Sequence, residues 1–258
     1  RTLVRNQIMV DEATDFSPLQ LRSMAALSNP AIRSFFACGD FNQRITQWGS
    51  RSNDDMSWAV PGIDVRPIEV TYRHSRQLSH LASEIVRLCS GQTVHVTLPK
   101  DANSDGIDPV LAKNLEGHDA IADWLAARLV EVEGLTSPLP SVAVLVNNEQ
   151  DVGPLAEALR RRVEAHNMNV VPCYEGQFAG QNNDIRVFDV QHIKGLEFEA
   201  VFFVGVDELA EQHPDLFDKY LYVGTTRAAT YFGLTSYGDA LPKKLEPIEP
   251  LFKEMFAV

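Results

Sequence analysis

Cysteine is scarce in this 258-residue chain: Cys38, Cys89 and Cys173 stand far apart, with no Cys-x-x-Cys spacing and no histidines gathered around them. That excludes a disulfide framework or a zinc ribbon and fits a reducing compartment, so the expected location is cytoplasmic. Long apolar runs are missing too. The longest, 200–206 and 142–146, fall far short of the ~20 residues a membrane span needs, and no membrane partner is expected. Low-complexity tracts and internal repeats are absent, and 45% apolar residues with only 22% charged ones exclude disorder and can fill one large α/β domain or two smaller ones. Arg1 stands where a Met would open a complete product, with no signal-peptide pattern after it, and is read as a hint of a longer parent.

A basic surplus is the last absence. The net charge of −12 is uneven: residues 1–100 carry 11 Lys/Arg against 9 Asp/Glu, and residues 101–258 carry 12 against 26. Bulk attraction to nucleic acid is thereby excluded. A groove that grips a strand locally, through a few aromatics and backbone contacts, remains compatible.

What is present is an alternation of short β-branched or aromatic runs with helical stretches, the pattern of strand–helix units around a parallel sheet. Strands are expected at 7–10, 34–38, 67–71, 142–146, 170–174, 185–190, 200–206 and 230–234. Helices are expected at 76–89, where Leu78, Leu81, Ile85 and Leu88 share a face, and at 119–132, where Ile121, Leu125 and Leu129 do; 157–166 and 216–228 also read as helical. Residues 98–109 read as a loop and 242–250 as an extended exit.

Five polar blocks interrupt this pattern. In Val10-Asp11-Glu12-Ala13-Thr14-Asp15 an apolar strand ends in two carboxylates, at the sheet edge where open α/β folds bind ligands. Asp11 there suits Mg²⁺, and Glu12 suits orienting or deprotonating a water. Gly39-Asp40-Phe41-Asn42-Gln43 repeats the design, with the Gln43 amide able to meet both a water and a phosphate oxygen. Trp48 follows in a Gly/Ser-rich stretch with a face available for stacking, whereas Trp58 and Trp124 read as core. Tyr72-Arg73-His74-Ser75 offers a ring for a purine and a planar fork for a phosphate. Gln191-His192-Ile193-Lys194-Gly195-Leu196-Glu197-Phe198 turns tightly at Gly195, and Glu197 can accept from a ribose hydroxyl. Tyr222-Val223-Gly224-Thr225-Thr226-Arg227 places Arg227 on an expected helix, suited to act as an arginine finger.

Taken in order, Asp-Glu-x-x-Asp, Gly-Asp-x-x-Gln-x-Ile-x-x-Trp, Tyr-Arg-x-Ser, Lys-Gly-Leu-Glu-Phe and Tyr-Val-x-x-Thr-Arg-Ala resemble the later motifs of UvrD/Rep-type superfamily 1 helicases over residues 8–228. The resemblance implies an α/β fold of RecA-like parallel sheets flanked by helices: a partial first RecA-like domain at 1–68 and a second at 69–258. It implies ATP and Mg²⁺ as cofactors, with single-stranded DNA as partner. Residue by residue it makes Asp11 the Mg²⁺ carboxylate, Glu12 the catalytic base and Gln43 the γ-phosphate sensor. Tyr72 and Glu197, with Gly195 at the bend, take the adenine and ribose. Arg73 and Arg227 meet phosphate, and Trp48, Gln191 and His192 meet the strand.

The chain also departs from the family. It contains no Gly-Lys dipeptide, hence no Gly-x-x-x-x-Gly-Lys-Ser/Thr phosphate loop, so that loop is expected from an N-terminal portion of the same protein or from a partner chain. Thr14, Thr46 and Gln191 replace residues common in the family, and 75–189 is too short for its large inserted subdomain. Three readings follow: the C-terminal part of an ATP-dependent DNA helicase, inactive alone; a nucleic-acid-sensing ATPase module that regulates a partner such as a nuclease; or a silent scaffold.

Overall fold

A computed structural model of the chain describes residues 4–44, 46, 48–66, 75–90, 106–193 and 195–256. They fall into two compact units, within residues 1–68 and 69–258. The expected strand at 67–71, the Tyr72-Arg73 pair and most of the expected loop at 98–109 lie outside the described residues.

In the first unit, β1 (Gln7–Val10) and β2 (Ser34–Ala37) pair in parallel, with Val10 opposite Ala37. Helix α1 (Pro18–Ala25) starts on a capping box, in which Ser17 Oγ accepts from the Gln20 amide and Gln20 Oε1 accepts from the Ser17 amide, with Pro18 in the first turn. Ser52 Oγ caps the short α2 (Asn53–Ala59) by accepting from the Asp55 amide. The small core gathers Val10, Ala13, Leu21 and Ala59 with Ile8, Phe16, Phe35 and Met56 around them. Met9 and Phe36, direct partners across the ladder, stay exposed at 68% and 54%. Trp58, expected in the core, is 53% exposed and lies under the Arg22 guanidinium at 4.9 Å. Two-turn α2 has room for one inward stripe, and Ala59 and Met56 occupy it.

The second unit is a six-stranded, all-parallel sheet in the order β3-β8-β7-β4-β6-β5. Its strands are β3 (Val110–Ala112), β4 (Val142–Val146), β5 (Val170–Cys173), β6 (Ile185–Asp189), β7 (Phe198–Phe203) and β8 (Ala228–Thr235). Both faces are covered, which is why β4 reads Val-Ala-Val-Leu-Val, every residue buried, instead of alternating. Helices α4 (Gly117–Thr136) and α5 (Glu149–Val163) seal one face through Ile121, Leu125, Leu129, Leu155 and Leu159 against Val142, Val144, Val187 and Phe202. Trp124, read as core, meets Phe202 edge-on there.

Helices α3 (Arg76–Ser90) and α7 (Phe217–Thr225) pack together on the other face. Gly224 of α7 sits so close that a Cβ would be 3.0 Å from the Phe203 ring and 3.1 Å from Leu145 Cδ1. The short α6 (Val206–Gln212) follows β7. Two expectations change. The helix expected at 216–228 stops at Thr225: the Arg227 amide leaves the helical pattern to donate to Gly224 O at 3.2 Å, and the chain enters β8 at Ala228. The exit at 242–250 is not fully extended but winds into a 3-10 turn over Glu246–Leu251, with Leu245 and Ile248, one 3-10 period apart, both buried. No helix among the described residues is long and apolar enough to cross a membrane.

Candidate functional site

In the first unit the two strand ends are stitched into one platform. The Cys38 amide donates to Val10 O at 3.0 Å and the Ala13 amide to Cys38 O at 2.8 Å, so the Asp11-Glu12 turn and the Gly39–Gln43 turn lie side by side at the carboxyl edge. Asp11 is exposed; its Oδ1 accepts from the Glu12 amide at 2.9 Å and from the Cys38 thiol at 3.1 Å. That second bond, with burial and the nearby carboxylates, pushes the Cys38 thiol pKa upward. Glu12 adopts a left-handed conformation, φ 50°, which turns the chain sharply off β1.

Gly39 passes so near that a Cβ would stand 3.0 Å from the Thr14 amide nitrogen, and Thr14 Oγ1 donates to Asp40 O. Asp40 caps the 3-10 turn Phe41–Gln43 by accepting from the Asn42 amide. The loop that follows is strapped back onto the acidic turn: Thr46 Oγ1 donates to Asp15 O at 3.1 Å, and the buried Ser50 hydroxyl to Phe16 O at 2.9 Å. Trp48 projects from this strapped loop, 65% exposed.

In the second unit the expected residues separate onto opposite edges of the sheet. Residues 190–197 run from the end of β6 to the start of β7, and because both strands point the same way that stretch crosses the sheet from its carboxyl to its amino edge. Gln191 and His192 therefore lie at the carboxyl edge, in a 3-10 turn over Val190–His192 capped by Asp189, while Glu197 lies at the amino edge. The chain turns at Gly195, φ +81°.

Arg227 joins Glu197 at the amino edge. It occupies the turn between α7 and β8, not a helix, and is 4% exposed; its backbone carbonyl accepts from the Phe198 amide, and its guanidinium donates to Val223 O and Leu196 O, both at 3.4 Å. Ser75 reaches the same end of β8 through its amide to Ala229 O, 3.2 Å, and its hydroxyl caps α3. Residues 184–235 match the family model of the UvrD-like helicase C-terminal domain.

This UvrD-like segment spans β6 to β8 and thus carries Gln191, His192, Gly195, Glu197 and Arg227, so the resemblance read from the motifs is borne out there. The C-terminal domain of a possible DNA helicase from Lactobacillus plantarum WCFS1 aligns with 71% of this chain and 98% of its own, at 20% identity and a TM-score of 0.50, a likeness of fold. No curated protein matches the chain.

The carboxyl edge of the second unit holds groups that the motif reading passed over. Glu149 and Asp151 open α5, Asp207 and Glu208 open α6, and Asp189 ends β6. The first two pairs are favoured there by the positive ends of their helices. Burial pushes the Asp189 carboxyl pKa up, and Glu149 adds to this, against the Gln191 amide and the nearby histidines. The available signal was Asn148-Glu149-Gln150-Asp151, an N-cap followed by acidic residues. Pro154, inside α5, stands between that signal and the expected helix start at 157.

Proposed function

We propose that the chain is the part of an ATP-dependent DNA helicase or translocase that carries its later motifs, coupling ATP hydrolysis to movement on single-stranded DNA. The observation that carries this reading is the sorting in the second unit: Glu197 and Arg227 both lie at the amino edge, where Ser75 also joins the sheet, whereas Gln191 and His192 occupy the carboxyl edge. Nucleotide and strand then have separate places, as a coupled motor requires.

The first unit fits the metal half of the cofactor. Asp11 and Glu12 supply hard carboxylate oxygens at a solvent-open strand edge, the donor set Mg²⁺ takes through one or two carboxylates and water. It does not supply the phosphate cradle, which the sequence lacks. ATP·Mg²⁺, when bound, supplies the phosphoryl group whose transfer powers the motor. In this reading Asp11 holds the cation, Glu12 orients the attacking water and the Gln43 amide reports on the γ-phosphate. Arg227 exchanges two long bonds to carbonyls for phosphate, with Arg73 and Tyr72 completing the nucleotide contacts. Glu197 accepts from the ribose. The strap from Thr46 and Ser50 to residues 15–16 makes the Trp48 loop, the stacking surface for a base, move with the acidic turn.

A second reading, an ATPase module that senses nucleic acid and regulates a partner, is favoured by the acidic carboxyl edge, which opposes tight grip on a phosphate backbone. ATP hydrolysis with single-stranded DNA tests both, using this chain alone and after joining a phosphate-loop segment ahead of residue 1. Expected are negligible turnover alone, turnover with the segment, and a loss of about 10³-fold on Arg227→Ala with nucleotide binding kept. Ordinary turnover by the chain alone refutes its dependence on an added phosphate loop, and ordinary turnover by the Arg227→Ala variant refutes the role given to that arginine. Turnover with neither strand displacement nor movement along single-stranded DNA selects the second.

A further inference from the structure

Glu149 opens α5, Asp189 ends β6 and His192 sits in the turn that follows, and one ligand atom of each lies within 4.8 Å of the other two. His192 Nε2 and Glu149 Oε2 are 3.8 Å apart. That is too far for a hydrogen bond and close to the spacing of two ligands each about 2.0–2.2 Å from a shared cation. Glu149 Oε2 is shielded from water and has no hydrogen-bond partner among the described residues, a costly state for a carboxylate oxygen unless a cation meets it.

The group is also held in place. Glu149 Oε1 accepts from the Glu175 amide at 2.7 Å, and Asp189 Oδ1 accepts from the Gln191 amide at 2.9 Å, so each carboxylate is anchored by one oxygen and offers the other. Asp189 Oδ2 has only a 3.5 Å contact with Gln191 Nε2. The imidazole is backed by Gly176, where a Cβ would stand 3.5 Å from Nδ1. The His192 and Glu149 side chains keep 40% and 34% of their surface, which leaves an entry path and room for water ligands.

We infer that Glu149, Asp189 and His192 form a binding site for a divalent transition-metal cation. One imidazole with two carboxylates suits Zn²⁺ or Mn²⁺, whereas Mg²⁺ takes oxygen ligands, so this site is distinct from the one proposed at Asp11. A bound ion would clamp the start of α5 to the turn that carries Gln191. With His192 Nε2 on the metal, the strand contact proposed for that turn falls to Gln191. The inference stands independently of the helicase reading, because it uses no nucleotide or DNA.

The test is calorimetric titration of ZnCl₂ into the whole chain after chelator treatment. A Cys38→Ser background removes the exposed thiol, a competing zinc ligand. Expected are one equivalent bound, no displacement by excess Mg²⁺, and a rise in Tm with zinc. Glu149→Gln and His192→Ala should each weaken binding about tenfold or more and abolish the Tm rise, since even loss of outer-shell support costs that much. His166→Ala, which removes an exposed imidazole elsewhere, should change neither. Circular dichroism checks that each variant is folded, and Glu149→Gln, nearly isosteric, serves if His192→Ala is not. Absence of stoichiometric binding by the unsubstituted site, or unchanged binding in a folded Glu149 or His192 variant, overturns the inference.

Discussion

Gly205, between β7 and α6, is held in the left-handed region at φ +66°, and its substitution by alanine can be worked through. Its amide donates to Thr235 Oγ1 at 3.0 Å and its carbonyl accepts from Asn147 Nδ2 at 2.8 Å, so the peptide cannot rotate away without stranding both partners. A Cβ built there falls 2.2 Å from Tyr237 Cε2 and 2.9 Å from two further ring atoms. The Tyr237 ring has little freedom to retreat, since it packs on the main core and its own amide donates to Asp207 Oδ1. A left-handed alanine costs about 1–2 kcal/mol, and overpacking of this kind about 1–3 kcal/mol more, giving roughly 2–5 kcal/mol together.

Gly117 provides the matched control. It opens α4 at φ +79° with nothing within 4 Å of a built Cβ, so Gly117→Ala carries the backbone cost alone. Urea unfolding followed by far-UV circular dichroism should rank Gly205→Ala below Gly117→Ala, and both below the unsubstituted chain. Equal losses in the two variants would refute the Tyr237 overlap. No loss in either would refute the left-handed backbone itself.

Other outcomes follow from single residues. Arg186, 1% exposed inside β6, donates to the carbonyls of Ala179, Gln181 and Asp184 and lies 4.2 Å over the Phe178 ring; Arg186→Met should cost roughly 2–4 kcal/mol, because the charge-assisted bonds that hold the 179–184 loop are lost, and protease should then cut within 175–183 in the folded chain. An intact loop and unchanged urea midpoint would contradict this. With iodoacetamide at pH 8, Cys38 should be labelled first, being exposed, half-buried Cys89 next and buried Cys173 last; simultaneous labelling would count against that order of exposure. Burial, with the hydrogen bond to Asp218 and its charge, pushes the Cys89 thiol up to about 12. A thiol that keeps its proton more tightly when folded supports the fold below its ordinary value near 9 and loses that support as pH rises towards 12. Stability should therefore fall through that window, and Cys89→Ala should flatten the fall; identical pH profiles would refute the assignment.

Much of the local structure was legible from residue order. β1 and β4 lie where the apolar runs put them, and the spacing of Leu78, Leu81 and Ile85 does mark the buried face of α3. These follow from short-range periodicity, which burial on a sheet or helix face imposes directly. The elements that were missed are short or carry a misleading residue. Helices α1 and α2 have too few turns for a period to emerge, β3 has three residues, and Pro154 falls inside the first turns of α5.

Residue order alone carries the continuous apolar runs of the covered strands in the second sheet and the polar, chemistry-bearing blocks that follow strand ends, since both are consequences of burying a backbone between helices. The strand order, and with it which block reaches which edge, is set by packing across the whole unit. Glu197 and Gln191 are six residues apart in one motif, yet the crossing from β6 to β7 sends them to opposite ends of the sheet, and the same packing brings Arg227 to Leu196 and Glu149 to His192. Partners this distant in sequence are selected by how strands register and helices cover them, a property of the whole packed unit that no local pattern encodes.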